Sequence, residues 1–165
     1  MFTITREIGI DMGHRVTYHG SKCKNLHGHR YTVQAECHGG LISQGEQQGM
    51  VLDFGFLKEE MMQIIDHHCD HGTTLWVDDP FVPMFKPNAL EDVIRDAVGD
   101  AGFWFGDSAF GKLYLIAEVP TAENLAKHWY ERLAPRVVER SLGNALLKRI
   151  VVWETPNCQA SYPVY

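Results

Sequence analysis

Nine histidines stand in a chain of 165 residues, and three of them share a placement that suggests chemistry. His27 and His29, in Leu26-His27-Gly28-His29, are two apart, so on an extended strand they point to one face. That face also carries Tyr31, Val33 and Ala35. His14 lies in line with Ile8, Ile10 and Met12, the apolar side of its own alternating segment. Three imidazoles aimed into one buried layer need partners, because a buried polar group without one is costly. A bound metal supplies them. Three neutral imidazoles with an open fourth position describe a catalytic zinc site, whereas closed structural sites are rich in thiolates. The competing reading makes each histidine a hydrogen-bonded core or turn residue.

Cys23 lies four residues before His27, in a turn-rich stretch. Its spacing suits a thiol base beside a dication, a fourth metal ligand or an inert turn residue. Cys37 and Cys158 have no comparable setting and read as packing residues.

These residues need elements to hold them. Residues 3–16 and 30–38 alternate and predict a long antiparallel hairpin. From Asp53, an N-cap, the period changes: Leu57, Met61, Ile64, Ile65 and His68 predict an amphipathic helix. Residues 78–112, with several prolines and glycines, read as an insertion holding one short helix at about 89–98. Residues 112–119 look like a strand. Thr121 then caps a second helix with Leu125, Trp129, Leu133 and Val137 in one stripe, closed by Gly143. Residues 148–155 and 159–165 form a second hairpin. The layout is α+β: an antiparallel sheet of two hairpins with two main helices on one face, a single domain over 1–165.

Composition sets the outer limits. Apolar residues make up 45% and charged residues 22% of the chain, ordinary for a globular protein. A net charge of −6 argues against sequence-independent nucleic-acid binding. Residues 78–112 hold seven acidic and three basic residues, so they alone contribute −4. No apolar run is long enough for a membrane span, and the N-terminus lacks an apolar signal core, so a cytoplasmic location is expected. Gly106-Asp107-Ser108-Ala109-Phe110-Gly111-Lys112-Leu113 nearly spells a phosphate-binding loop. Leu113 stands where a hydroxyl is needed, and a strand-like run follows in place of a helix.

Cys23-Lys24-Asn25-Leu26-His27-Gly28-His29-Arg30-Tyr31 resembles the C-x-x-x-H-G-H-x-[YF] motif of the 6-pyruvoyl-tetrahydropterin synthase superfamily, whose bacterial members are mostly 6-carboxytetrahydropterin synthases of queuosine biosynthesis. Gly13-His14-Arg15, Gly49-Met50-Val51-Leu52-Asp53-Phe54, Asp70-His71, Pro120-Thr121-Ala122-Glu123-Asn124 and Trp153-Glu154-Thr155 match in order. The resemblance covers nearly the whole chain apart from 78–112. It implies a T-fold that assembles into trimers and hexamers with active sites between subunits. It implies zinc on His14, His27 and His29, Cys23 as the proton-abstracting base, and an Asp-His relay, for which Asp66-His67 and Asp70-His71 compete and spacing from Asp53 favours Asp70-His71. Glu154 would anchor a pterin ring, with Glu123 and Thr121 at the same substrate pocket. The implied activity is a lyase acting on 7,8-dihydroneopterin triphosphate, the carboxy type cleaving the side chain and the pyruvoyl type releasing triphosphate alone. Ile10-Asp11-Met12-Gly13 departs from the small residues usual before the first histidine, which bears on pocket shape. Two other classes compete with this reading. His27 and His29 with Asp53 would make an iron site of two histidines and one carboxylate; a non-catalytic pterin-binding protein would be expected to have lost Cys23 or the relay.

Overall fold

The computed structural model describes residues 1–87 and 91–164. β1 (Phe2–His14) and β2 (His27–Gly39) pair antiparallel along their whole length, from Phe2 opposite Gly39 to His14 opposite His27. The predicted alternation holds: Ile8, Ile10, Met12 and His14 are buried on one face, together with Tyr31, Val33, Ala35 and Cys37. Residues 15–26, which join the strands, contain a single 3-10 turn at Lys22–Lys24. β6 (Ala145–Thr155) pairs with β2 and β7 (Cys158–Tyr162) with β6, both antiparallel.

The first helix begins where its cap predicts. Asp53 accepts the backbone N–H of Gly55, and α1 (Phe54–Met61) runs into a π-helical turn at Met62–Asp66 and a last short turn, α2 (His67–Cys69). α5 (Ala122–Arg140) is capped by Thr121, which accepts the N–H of Asn124, and ends before Gly143 at φ +81°. Leu125, Trp129, Leu133 and Val137 are buried as one stripe against the sheet. With α1 they cover one face of β1, β2 and β6.

The sheet is larger than two hairpins. Three further strands, β3 (Gly72–Trp76), β4 (Phe103–Ser108) and β5 (Gly111–Ile116), make seven among the described residues, in the order β4-β5-β3-β1-β2-β6-β7. β3 and β4 lie where the sequence predicts no strand, and β5 ends earlier than the expected residue 119. β3 lies parallel to both β1 and β5, so the sheet is mixed rather than wholly antiparallel. Strands this short carry too little alternation to announce themselves. β5 reads as a continuous apolar run because both of its faces are covered: Tyr114 and Ile116 join the main core, Leu113 and Leu115 a second one.

That second core explains residues 78–112. They hold α3 (Val82–Phe85), α4 (Glu91–Ala101) and β4. Val82, Phe85, Ile94 and Val98 pack on Leu75, Leu113 and Leu115, on the sheet face opposite α1 and α5. The segment extends the sheet and covers its far face. The short helix expected at about 89–98 is α4, and positions 89 and 90 lie outside the described residues.

Candidate active site

The β1–β2 register decides the centre. His14 ends β1 opposite His27, which begins β2, and Met12 faces His29. The ring centroids of His14 lie 4.6 Å from His27 and 5.2 Å from His29, and the latter two are 4.9 Å apart. One nitrogen from each lies within 4.8 Å of the others, so the three can hold one metal ion. Two of the rings are oriented from behind: Nδ1 of His14 donates to the Pro120 carbonyl at 2.8 Å, and Nδ1 of His27 to the Asn25 carbonyl at 2.7 Å. Such bonds fix the tautomer that leaves Nε2 free as a ligand. Nε2 of His14 is fully buried and has no hydrogen-bond partner among the described residues. A buried nitrogen in that position, beside two further imidazoles, is suited to ligate a metal. Burial holds His14 and His29 below the ordinary histidine range, against the opposing pull of Glu154. Both therefore favour the neutral form that metal binding requires.

Glu154, near the end of β6, reaches the cluster. Its Oε1 is 3.5 Å from His14 Nε2 and 4.0 Å from His29 Nε2, and it accepts the Tyr31 hydroxyl at 3.4 Å. Burial, with Glu154 beside it, pushes the Tyr31 phenol above its ordinary range, so the hydroxyl stays protonated as a donor. His14, Cys23, Thr121, Glu123, Glu154 and Cys158 all line one cavity of about 270 Å³. Cys23 comes from the 3-10 turn, Thr121 and Glu123 from the start of α5.

Asp70 and His71 form a pair of their own. Nδ1 of His71 donates to Asp70 Oδ2 at 2.7 Å. The pair is pinned to β1: the Asp11 N–H donates to Asp70 Oδ1 at 2.8 Å and the His71 N–H to the Asp11 carbonyl at 2.7 Å. His71 takes a positive φ of 54° to do so. It lines a second cavity, of about 540 Å³, together with His27 and His29. The structure thus sets Cys23 and His71 in two different cavities that each contain part of the imidazole cluster. Asp66 and His67 make no such pair; the Asp66 carbonyl accepts from Asp70, and the His67 ring packs on Phe105 at 5.4 Å. Asp53 caps α1 and is not among the groups gathered with His27 and His29.

Cys158, where the sequence predicts a packing residue, is instead exposed and lines the Cys23 cavity, whereas Cys37 is buried with its thiol pushed up to about 12 by burial. Cys158 follows a hairpin turn, where alternation says nothing about facing.

The model of the 6-pyruvoyl tetrahydropterin synthase family matches residues 3–164. The chain belongs to this family. A Haemophilus influenzae protein named 6-carboxy-5,6,7,8-tetrahydropterin synthase is 42% identical over 162 residues, covering 98% of this chain and 99% of the relative. A Rickettsia felis protein of the same name is 31% identical over 158 residues, covering 96% and 97%. Among solved structures, an uncharacterized Wolinella succinogenes protein matches with a TM-score of 0.72 at 23% identity, covering 97% of this chain and 96% of that one. The Caenorhabditis elegans 6-pyruvoyl tetrahydropterin synthase matches at 0.59 and 19%, covering 99% and 96%. The fold is the T-fold of this family. In this tetrahydropterin synthase, an enzyme acting on pterins, a possible three-histidine metal site adjoins a cavity with a carboxylate and a thiol. Among the described residues no helix is long and apolar enough to cross a membrane.

Proposed function

We propose that the protein is a zinc-dependent 6-carboxy-5,6,7,8-tetrahydropterin synthase, converting 7,8-dihydroneopterin triphosphate to 6-carboxytetrahydropterin with release of acetaldehyde and triphosphate, in queuosine (7-deazaguanine) biosynthesis. The observation that carries this reading is the orphaned His14 Nε2 within the imidazole cluster, beside the cavity of Cys23 and Glu154. The names of the relatives support the carboxy product.

His14, His27 and His29 would hold the zinc, and its chemistry when bound is that of a Lewis acid acidifying the side-chain hydroxyls of the substrate. Glu154 accepts ring N–H groups of the pterin, a planar recognition that a carboxylate suits. Thr121 and Glu123 border the same cavity and orient the substrate. Cys23, as thiolate, abstracts a side-chain proton. His71, held by Asp70, returns or removes a proton from the other side; the carboxylate fixes the tautomer and stabilises the imidazolium that forms.

The protein would act in the cytoplasm, as a single catalytic domain over 1–165 that binds neither nucleic acid nor membrane; four free cysteines suit a reducing compartment. We further propose a homo-oligomer, trimer or hexamer, with sites between subunits. The edge of β1 from Phe2 to Ile10 away from β2, and the outer edge of β7, have no strand partner among the described residues. Unpaired edges invite strand addition.

The family model bears the pyruvoyl name, so one experiment must separate two products. Metal-loaded protein is incubated with dihydroneopterin triphosphate and the product mass determined. A carboxypterin with acetaldehyde supports the reading. A pyruvoyl product selects the alternative, and no turnover by metal-loaded protein refutes both.

A further inference from the structure

The loop of residues 15–26 carries Cys23, and its anchorage lies in a buried knot outside the site. Arg15, Thr17 and Asp79 are 7%, 7% and 2% exposed. Arg15 Nη1 reaches Asp79 Oδ1 at 3.4 Å, Arg15 Nη2 donates to the Thr17 carbonyl at 3.2 Å, and the Thr17 hydroxyl donates to Asp79 Oδ2 in a short bond. The guanidinium also sits 3.8 Å above the Phe81 ring, and its Nε is buried without a hydrogen-bond partner among the described residues. Asp79 completes the knot by accepting the Phe81 N–H at 2.8 Å.

The residue between Arg15 and Thr17 is Val16, whose N–H donates to the Cys23 carbonyl at 2.8 Å. Val16 is therefore held on both sides by partners of Asp79, and it in turn holds the backbone of Cys23. Asp79 belongs to the chain that leaves β3 for α3, the beginning of the acidic segment 78–112. A buried carboxylate with three donors is expensive to assemble, and pairing of this kind serves to specify one arrangement.

We propose that Asp79 is a positioning residue for Cys23: through Thr17 and Arg15 it sets the path of residues 15–17, and through the Val16–Cys23 hydrogen bond the placement of the thiol in the cavity. Segment 78–112 thereby acts on Cys23 without lining the Cys23 cavity. This rests on the reading of Cys23 as base, so its test includes a readout independent of turnover.

Asp79→Asn keeps the shape and removes the charge; Thr17→Val removes one donor and leaves the ion pair. For each variant the rate of Cys23 alkylation by iodoacetamide at fixed pH is followed by peptide mass spectrometry, together with metal content, kcat and KM. In Asp79→Asn the alkylation rate is expected to change about 5-fold or more and kcat to fall about 10- to 100-fold, with KM within about 2-fold and metal retained, because small misplacements cost this much in rate. Thr17→Val should move both rates in the same direction by less. A folded Asp79→Asn, or, should that variant not fold, a Thr17→Val, that alkylates at the parental rate with unchanged kcat overturns the proposal even if its melting temperature falls. If Cys23→Ala proves fully active, the base assignment fails, and the alkylation comparison alone decides whether Asp79 places the thiol.

Discussion

Replacing Cys23 by alanine separates ligand from base. The Cys23 sulfur is not among the atoms that lie within 4.8 Å of one another at the imidazole cluster, so the metal should stay when it is removed. The side chain is only half-buried and its thiol has no hydrogen-bond partner among the described residues, so the fold should lose no more than about 1 kcal/mol. What disappears is the proposed proton acceptor in the cavity shared with His14 and Glu154. A positioned general base contributes about 10²- to 10⁴-fold, which corresponds to about 2.7–5.4 kcal/mol of barrier. Purified Cys23→Ala should therefore contain as much zinc by elemental mass spectrometry as the parent, while kcat on dihydroneopterin triphosphate drops at least about 100-fold. His29→Ala, by contrast, should lose both metal and turnover. Zinc lost from Cys23→Ala makes the thiol a ligand and leaves the base unassigned; kcat within about 3-fold of the parent refutes the proton-transfer role outright.

Chelation should abolish turnover and zinc should restore it; because only the folded chain gathers three imidazoles, zinc at about 100 times its Kd should add about 2.7 kcal/mol and raise the melting temperature by about 5–10 °C. Thr121→Ala removes the cap of α5 and should cost about 1 kcal/mol in urea unfolding, with Thr121→Ser close to the parent. His128, bonded to the Tyr114 hydroxyl at 2.7 Å, is pushed down to about 3 by burial and then by Arg132 and His68. Below 6.5 the unfolded chain takes up a proton that the folded chain refuses, so this group's contribution is complete above that pH and declines as pH falls toward about 3. Between pH 7.5 and 5 it should cost about 2 kcal/mol of unfolding free energy, and His128→Gln should flatten that slope; equal slopes in both proteins remove His128 as the cause.

Much of the centre was legible because it obeys local periods. Side chains two apart on a strand share a face whatever the rest of the chain does, so His27, His29 and Tyr31 had to align, and His14 had to follow Ile10 and Met12. Asp53 and Thr121 were readable as caps for the same reason: a cap satisfies N–H groups within three residues of itself. The amino-acid order thus determined which imidazoles face inward, where α1 and α5 begin, and the family motifs. Contacts between distant residues are outside the reach of any period. The His14–His27 register, the grip of Asp11 on Asp70 59 residues away, the parallel insertion of β3 between β1 and β5, and the burial of Asp79 against Arg15 come only from packing of the whole sheet. Tertiary structure alone assigned Cys158 to the pocket and set Cys23 and His71 in different cavities, because cavities form where elements far apart in sequence fail to fill the space between them.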